Sequence, residues 1–266
     1  MSLAKDTRAP GGAALKTLGV LVIGLLLAEP ASAIPFTWDP SVVGLQGAPA
    51  FSGDALKATE VSHIHFNDAS TWQEHGYAQI TGIVNNGAES VPSGLNATYS
   101  LYLDFSITGN SATGMFTSAS VTLYGVNGVS TFAIDTNDNY TAKVTNTGIP
   151  IELATNTLIK GSTGGAPGGD LSADLWSTFT PTATGAGVFL GPTMPGNFYG
   201  HFFHPNDGTG GIQPIFDFSG AQPVLTDVLL RGGDDTLSFV PAPASLLLLV
   251  SGLPGLLLAR RRRFET

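Results

Sequence analysis

Tyr99-Ser-Leu-Tyr-Leu-Asp-Phe-Ser-Ile107 places Tyr99, Leu101, Leu103, Phe105 and Ile107 on one face of an extended chain. Ser100, Asp104 and Ser106 fall on the other. That period of two predicts a half-buried β-strand. The same alternation recurs in Val121 with Leu123, Phe132 with Ile134, Phe216 with Phe218, and Leu237 with Phe239. Turn-forming clusters separate these runs: Asn85-Asn86-Gly87, Val126-Asn127-Gly128 and Asn206-Asp207-Gly208. No long apolar period of 3.6 residues occurs between residues 34 and 239. The body is therefore expected to be all-β, an antiparallel β-sandwich or jelly roll.

The two ends differ from this body. Lys5, Arg8 and Lys16 precede an apolar run from Leu18 to Ala28, then Glu29-Pro30 and Ala31-Ser32-Ala33. A basic segment, an apolar segment and an A-x-A site in that order form a secretory signal peptide over residues 1–33, cleaved after Ala33. At the other end, Val240-Pro241-Ala242-Pro243 leads into a Leu/Gly-rich run, followed by Arg260, Arg261, Arg262 and Arg263. The 21 residues from Phe239 to Ala259 would reach roughly 30 Å as a helix, one hydrocarbon core. Gly252, Pro254 and Gly255 weaken that span. The arginines are expected to stay cytoplasmic, leaving the body on the far side of the inner membrane.

Between the ends lie only Lys57, Lys143, Lys160 and Arg231 as cations. Set against 17 carboxylates, they leave a formal charge of −13. Such a surface repels phosphate backbones, which excludes nucleic acid as a partner. There is no cysteine, so an exported body must be held by its core, by bound ions, or by both. Glycine accounts for 34 of 266 residues, above the usual ~7%, in keeping with short strands and many turns. Gly161–Gly169 is expected to be a flexible loop, and residues 191–211 a second loop-like stretch. Two subdomains split near residue 165 are one option, and a single interrupted domain is the more economical one.

The C-terminal layout of Pro-x-Pro, Leu/Gly helix and Arg cluster resembles the PEP-CTERM sorting signal of Gram-negative bacteria. In that family a membrane protease, exosortase, removes the helix near the Pro-Glu-Pro segment; here Ala242 stands at the Glu position. The body is similar to the flocculation-associated PEP-CTERM proteins. The resemblance lies in Phe36-Thr-Trp-Asp-Pro-Ser-Val-Val-Gly-Leu45, in Phe51-Ser-Gly-Asp-Ala-Leu-Lys57, in Leu123-Tyr with Ile134-Asp-Thr-Asn-Asp-Asn139, and in the short Gly/Asp-rich strand before residue 240. It implies export through the Sec translocon, a transient inner-membrane intermediate and exosortase processing. The expected destination is the cell surface or extracellular matrix. There the product would associate with exopolysaccharide and contribute to aggregation, floc or biofilm formation. It brings no catalytic residues.

Several residue sets carry candidate chemistry. His63-Ile-His65 puts two imidazoles on one face of a strand, a spacing that can ligate a metal if His75, His201 or His204 joins them. Ile64 and Phe66 mark the opposite, buried face, which turns the histidines toward solvent. Asp135, Asn137 and Asn139 resemble the start of a calcium loop. Tyr140 replaces its glycine and Asn146 its bidentate glutamate, so an Asx-rich turn competes with a calcium site. Gly232-Gly233-Asp234-Asp235 resembles half of one RTX repeat and reads as a turn into a final strand. Trp38, Trp72, Trp176, Tyr199, Phe202 and Phe203 would stack on sugars if exposed together. No nucleophile elbow, zincin helix, phosphate loop or dinucleotide fingerprint is present, and no enzymatic activity is expected. Two alternatives stay open: a carbohydrate-binding module, calcium-stabilised or not, and an extracellular hydrolase with paired carboxylates in a groove.

Overall fold

A computed structural model describes residues 33, 35–164, 172–190, 198–204 and 211–241. Their strands run β1 (Phe36–Trp38), β2 (Phe51–Gly53), β3 (Ala55–Phe66), β4 (Thr71–Asn85), β5 (Ala88–Ser90), β6 (Tyr99–Asn110), β7 (Phe116–Asn127), β8 (Ser130–Asp135) and β9 (Thr141–Asn146). They continue with β10 (Pro150–Gly164), β11 (Ser172–Thr178), β12 (Thr180–Pro181), β13 (Phe189–Leu190), β14 (Phe198–His204), β15 (Gly211–Asp217), β16 (Val224–Arg231) and β17 (Asp235–Pro241).

The all-β, antiparallel expectation holds. The main sheet is a meander: β3, β4, β6, β7, β10, β11, β14 and β17 pair in chain order, all antiparallel. β17 then pairs with β3, Asp235–Ser238 against Ala55–Ala58, and closes the circuit. The walls of this curled sheet face each other across one core, as in a sandwich. The strand order is that of an up-and-down barrel rather than the crossing order of a jelly roll. Closure occupies only the first half of β3. Its second half pairs with β16, Val61–His65 against Asp227–Arg231, and β16 pairs with β15.

Alternation decides which side chains enter. On β6 the inner row is Tyr99, Leu101, Leu103, Phe105 and Ile107, all buried. The outer row is not simply wet. Hairpin β8–β9 lies over β3 and β4 and buries Tyr77 and Tyr102 against Phe132, Ile134 and Val144. Burial raises the pKa of Tyr77 to about 12. One end of the circuit is filled by the small sheet β13–β1–β2. Its Phe36, Trp38 and Phe189 meet Phe179 and Phe239 at centroid separations of 4.9–6.4 Å.

Some sequence expectations change. Gly161–Gly164 is not loop but the end of β10, paired with β11. A Cβ at Gly161 would stand 2.2 Å from the Phe116 ring, so glycine is required there for packing. The β10–β11 pair bridges the suspected split near residue 165, so the body is one sheet system. Phe198–His204 is likewise strand. Phe216 and Phe218 do not face a core; both are exposed at the outer end of hairpin β15–β16. The last strand extends to Pro241, two residues past the expected body boundary at 239. Residues 1–32 and 242–266, which hold the expected signal helix, transmembrane helix and arginines, lie outside the described residues. Among the described residues no helix is long and apolar enough to cross a membrane.

Candidate functional site

The curled sheet holds a partly open chamber of about 300 Å³. Its wall is mostly apolar, with Ile64, Trp72, Leu103, Phe105, Val121, Leu175 and Leu230 contributing. It extends to the β6–β7 turn, Ser111–Gly114. Two glycines make the interior possible. Gly109 lies under the Trp72 indole, where a Cβ would come within 2.2 Å of a ring carbon. Gly76 faces Ser62 across the β3–β4 pair, where a Cβ would sit 2.3 Å from the Ser62 Cβ and 2.8 Å from Phe105.

The space left at Gly76 is occupied by a polar cluster. Ser62 is fully buried, and its Oγ lies between Glu60 Oε1 and Glu74 Oε1, 2.7 Å from the latter. Both glutamates are buried and line the chamber. A serine hydroxyl carries one proton and accepts through its lone pairs. That proton is shared between Glu60 Oε1 and Glu74 Oε1. On the facing wall Asn156 is 4% exposed, and its Oδ1 has no hydrogen-bond partner.

The outer wall carries the second cluster. His63 and His65 do turn outward, as their alternation with Ile64 and Phe66 predicts. Among the described residues their third partner is Asp227 on β16. His63 Nε2 and His65 Nδ1 approach Asp227 Oδ1 at 2.8 and 2.7 Å. Burial would raise the Asp227 pKa, but hydrogen bonds from His65, His63 and Thr226 outweigh it and hold the carboxyl below its ordinary range. The three ligand atoms lie within 4.8 Å of one another, so this set could hold a divalent first-row metal with positions left open. His75 pairs instead with Asp104 at 3.3 Å, and His201 and His204 lie on β14.

The other candidates are dispersed. Asp135, Asn137 and Asn139 lie at the β8–β9 turn. There Asp135 accepts from Lys143 Nζ at 2.7 Å and from the Asn137 backbone N–H at 2.9 Å. Lys143 also reaches Asp138 at 3.0 Å, so the cation at this turn is a lysine of the same hairpin. Gly232 and Gly233, both with positive φ, lead into β17 as expected. Trp38 and Trp72 are core residues and form no sugar platform. Trp176, on β11, has Lys160 Nζ 4.6 Å from its ring centroid. Tyr199, Phe202 and Phe203 are on β14. Of the sorting residues, Val240 and Pro241 belong to β17, opposite Tyr199 and Phe198.

Sequence reasoning missed the Glu60–Ser62–Glu74 cluster and Asn156. The signal for the first two was available: Glu60 and Ser62 share the parity of Ile64 and Phe66.

No protein-family model, curated protein or solved structure matches the chain.

Proposed function

We propose that this chain is an exported, exosortase-processed protein of the cell surface or extracellular matrix, and that its barrel binds a small apolar ligand rather than catalysing a reaction. The mostly apolar chamber carries the binding reading. At about 300 Å³ it reaches the lower end of the range of small-molecule sites. It is twice the ~150 Å³ cavity that accepts benzene, which points to a ligand of about a dozen heavy atoms. The paired glutamates do not favour glycoside hydrolysis, because Ser62 stands between them where a sugar bond would have to lie.

Location rests on the order of sequence signals at the two ends. The described body supports it: among the described residues the first deeply buried side chain is Phe36 and the last strand ends at Pro241. Removing both flanking segments would therefore leave every described strand in place. At the surface such a product would associate with exopolysaccharide and contribute to floc or biofilm cohesion.

Mass spectrometry of the native C-terminus, with and without the host exosortase, tests the sorting part. A terminus within residues 242–245 that depends on exosortase is expected. An intact Thr266 in both strains would refute processing. A terminus before Pro241 would remove β17 pairs and refute the proposed match between cut and fold.

A further inference from the structure

Strand β3 changes partner part-way along its length. Ala55–Ala58 pair with β17, which closes the circuit, and Val61–His65 pair with β16. Asp227 stands opposite His65 at the end of that second pairing. Past it, hairpin β15–β16 runs out to the exposed Phe216 and Phe218. The junction held by this pairing is where His63, His65 and Asp227 meet. Period two brings both imidazoles to the outer face of β3, and both ring nitrogens point at one atom, Asp227 Oδ1, at 2.8 and 2.7 Å. Among the described residues, these are the His, Asp and Glu side chains whose ligand atoms gather within 4.8 Å of one another. The chamber lies on the opposite face of β3, which Ile64 and Phe66 line, so the site is separate from it.

The donor set selects the ion. Two neutral imidazoles and one carboxylate suit zinc and its first-row neighbours, whereas calcium and magnesium take oxygen ligands. Zinc bonds nitrogen and oxygen at about 2.0–2.2 Å in a tetrahedral array, which sets two ligand atoms roughly 3.3–3.5 Å apart. The present nitrogen–oxygen separations are shorter by about 0.5–0.8 Å, because hydrogen bonds span them. Side-chain torsions supply that difference when the two hydrogen bonds give way to metal bonds. His63 and Asp227 are 15% and 13% exposed and His65 is 43% exposed, so an ion enters from the His65 side, where water completes its coordination. On the other flank the Tyr140 ring packs edge-on to His63 at 5.9 Å and restrains that imidazole.

We infer that His63, His65 and Asp227 form a zinc site that clasps hairpin β15–β16 to the second half of β3. The chain has no cysteine, and His63 and Asp227 are 164 residues apart. A metal crosslink over that separation closes a long loop, and an ion bound only by the folded state stabilises it by mass action.

The test uses protein isolated from its host without a polyhistidine tag, stripped with EDTA and freed of chelator. It is titrated calorimetrically with Zn²⁺ at pH 7, with and without a large excess of Ca²⁺. One Zn²⁺ per chain should bind with a Kd of about 1 μM or tighter, unaffected by Ca²⁺. At a hundredfold excess over Kd, Zn²⁺ should raise Tm by about 5–10 °C. His65→Gln alters the most exposed of the three ligands, and Asp227→Asn keeps an acceptor oxygen between the imidazoles. Each should weaken Zn²⁺ binding about tenfold or more and remove most of the Tm rise. His75→Gln, and His201→Gln with His204→Gln, should leave the affinity within about threefold. Displacement of Zn²⁺ by Ca²⁺ would reduce the effect to the acidic surface and overturn the site. Loss of binding in the His75 or His201/His204 variants, with His65→Gln unaffected, would place the metal elsewhere and overturn it too. Stoichiometric binding with no rise in Tm would overturn the clasp.

Discussion

Gly76→Ala probes the chamber at its tightest point. The new Cβ would stand 2.3 Å from Ser62 Cβ, 2.8 Å from Ser62 Cα and 2.8 Å from Phe105 Cζ. Ordinary carbon contacts lie at about 3.5–4.0 Å, so strands β3 and β4 must part by more than ~1 Å or Phe105 must leave its rotamer. Overpacking of this kind costs about 1–3 kcal/mol. The intrinsic preference of a strand for Ala over Gly returns at most about 1 kcal/mol. For a body of this size each kcal/mol lowers Tm by roughly 2–4 °C. Urea denaturation followed by far-ultraviolet dichroism should show the loss. Ser62→Gly combined with Gly76→Ala moves the side chain to the other strand. It should recover part of the stability, giving a coupling of at least ~0.5 kcal/mol in the double-mutant cycle. A Gly76→Ala protein as stable as the parent, or a cycle with no coupling, would refute the close approach of β3 and β4 on which the chamber geometry depends.

Asp227→Ala should cost about 1–3 kcal/mol at pH 7, because it removes the acceptor shared by His63 and His65. The folded pKa of Asp227 is depressed, so its charge stabilises the fold above the unfolded value of about 3.9 and ceases to do so as pH falls through the folded value. Urea midpoints of parent and variant should therefore converge as pH falls through the depressed folded value; a gap that stays constant would rule out the carboxylate charge as its source. Tyr77 and Tyr99 are pushed up to about 12, so ultraviolet titration should show phenols that remain protonated well above pH 10. All six tyrosines of the chain titrating together near pH 10 would contradict the burial of those two.

The sequence by itself determined the strand character of the body, the inner row of β6, the outward turn of His63 and His65, and the succession of basic, apolar and small residues at the two ends. Each is local: it needs only period two or the succession of residue types along the chain. Glu60 and Ser62 were legible in part, since Ile64 and Phe66 mark their face as the buried one. The partners were not. Glu74 joins Ser62 only through the β3–β4 register, and Asp227 reaches His63 across 164 residues of sequence. Phe132 and Phe216 show the same limit from opposite sides. Both alternate like core residues, yet one packs on the outside of the barrel under its own hairpin and the other stands in solvent. Alternation says which side chains share a face. Only closure of the sheet decides which face becomes an interior, because that depends on pairings between strands far apart in the chain.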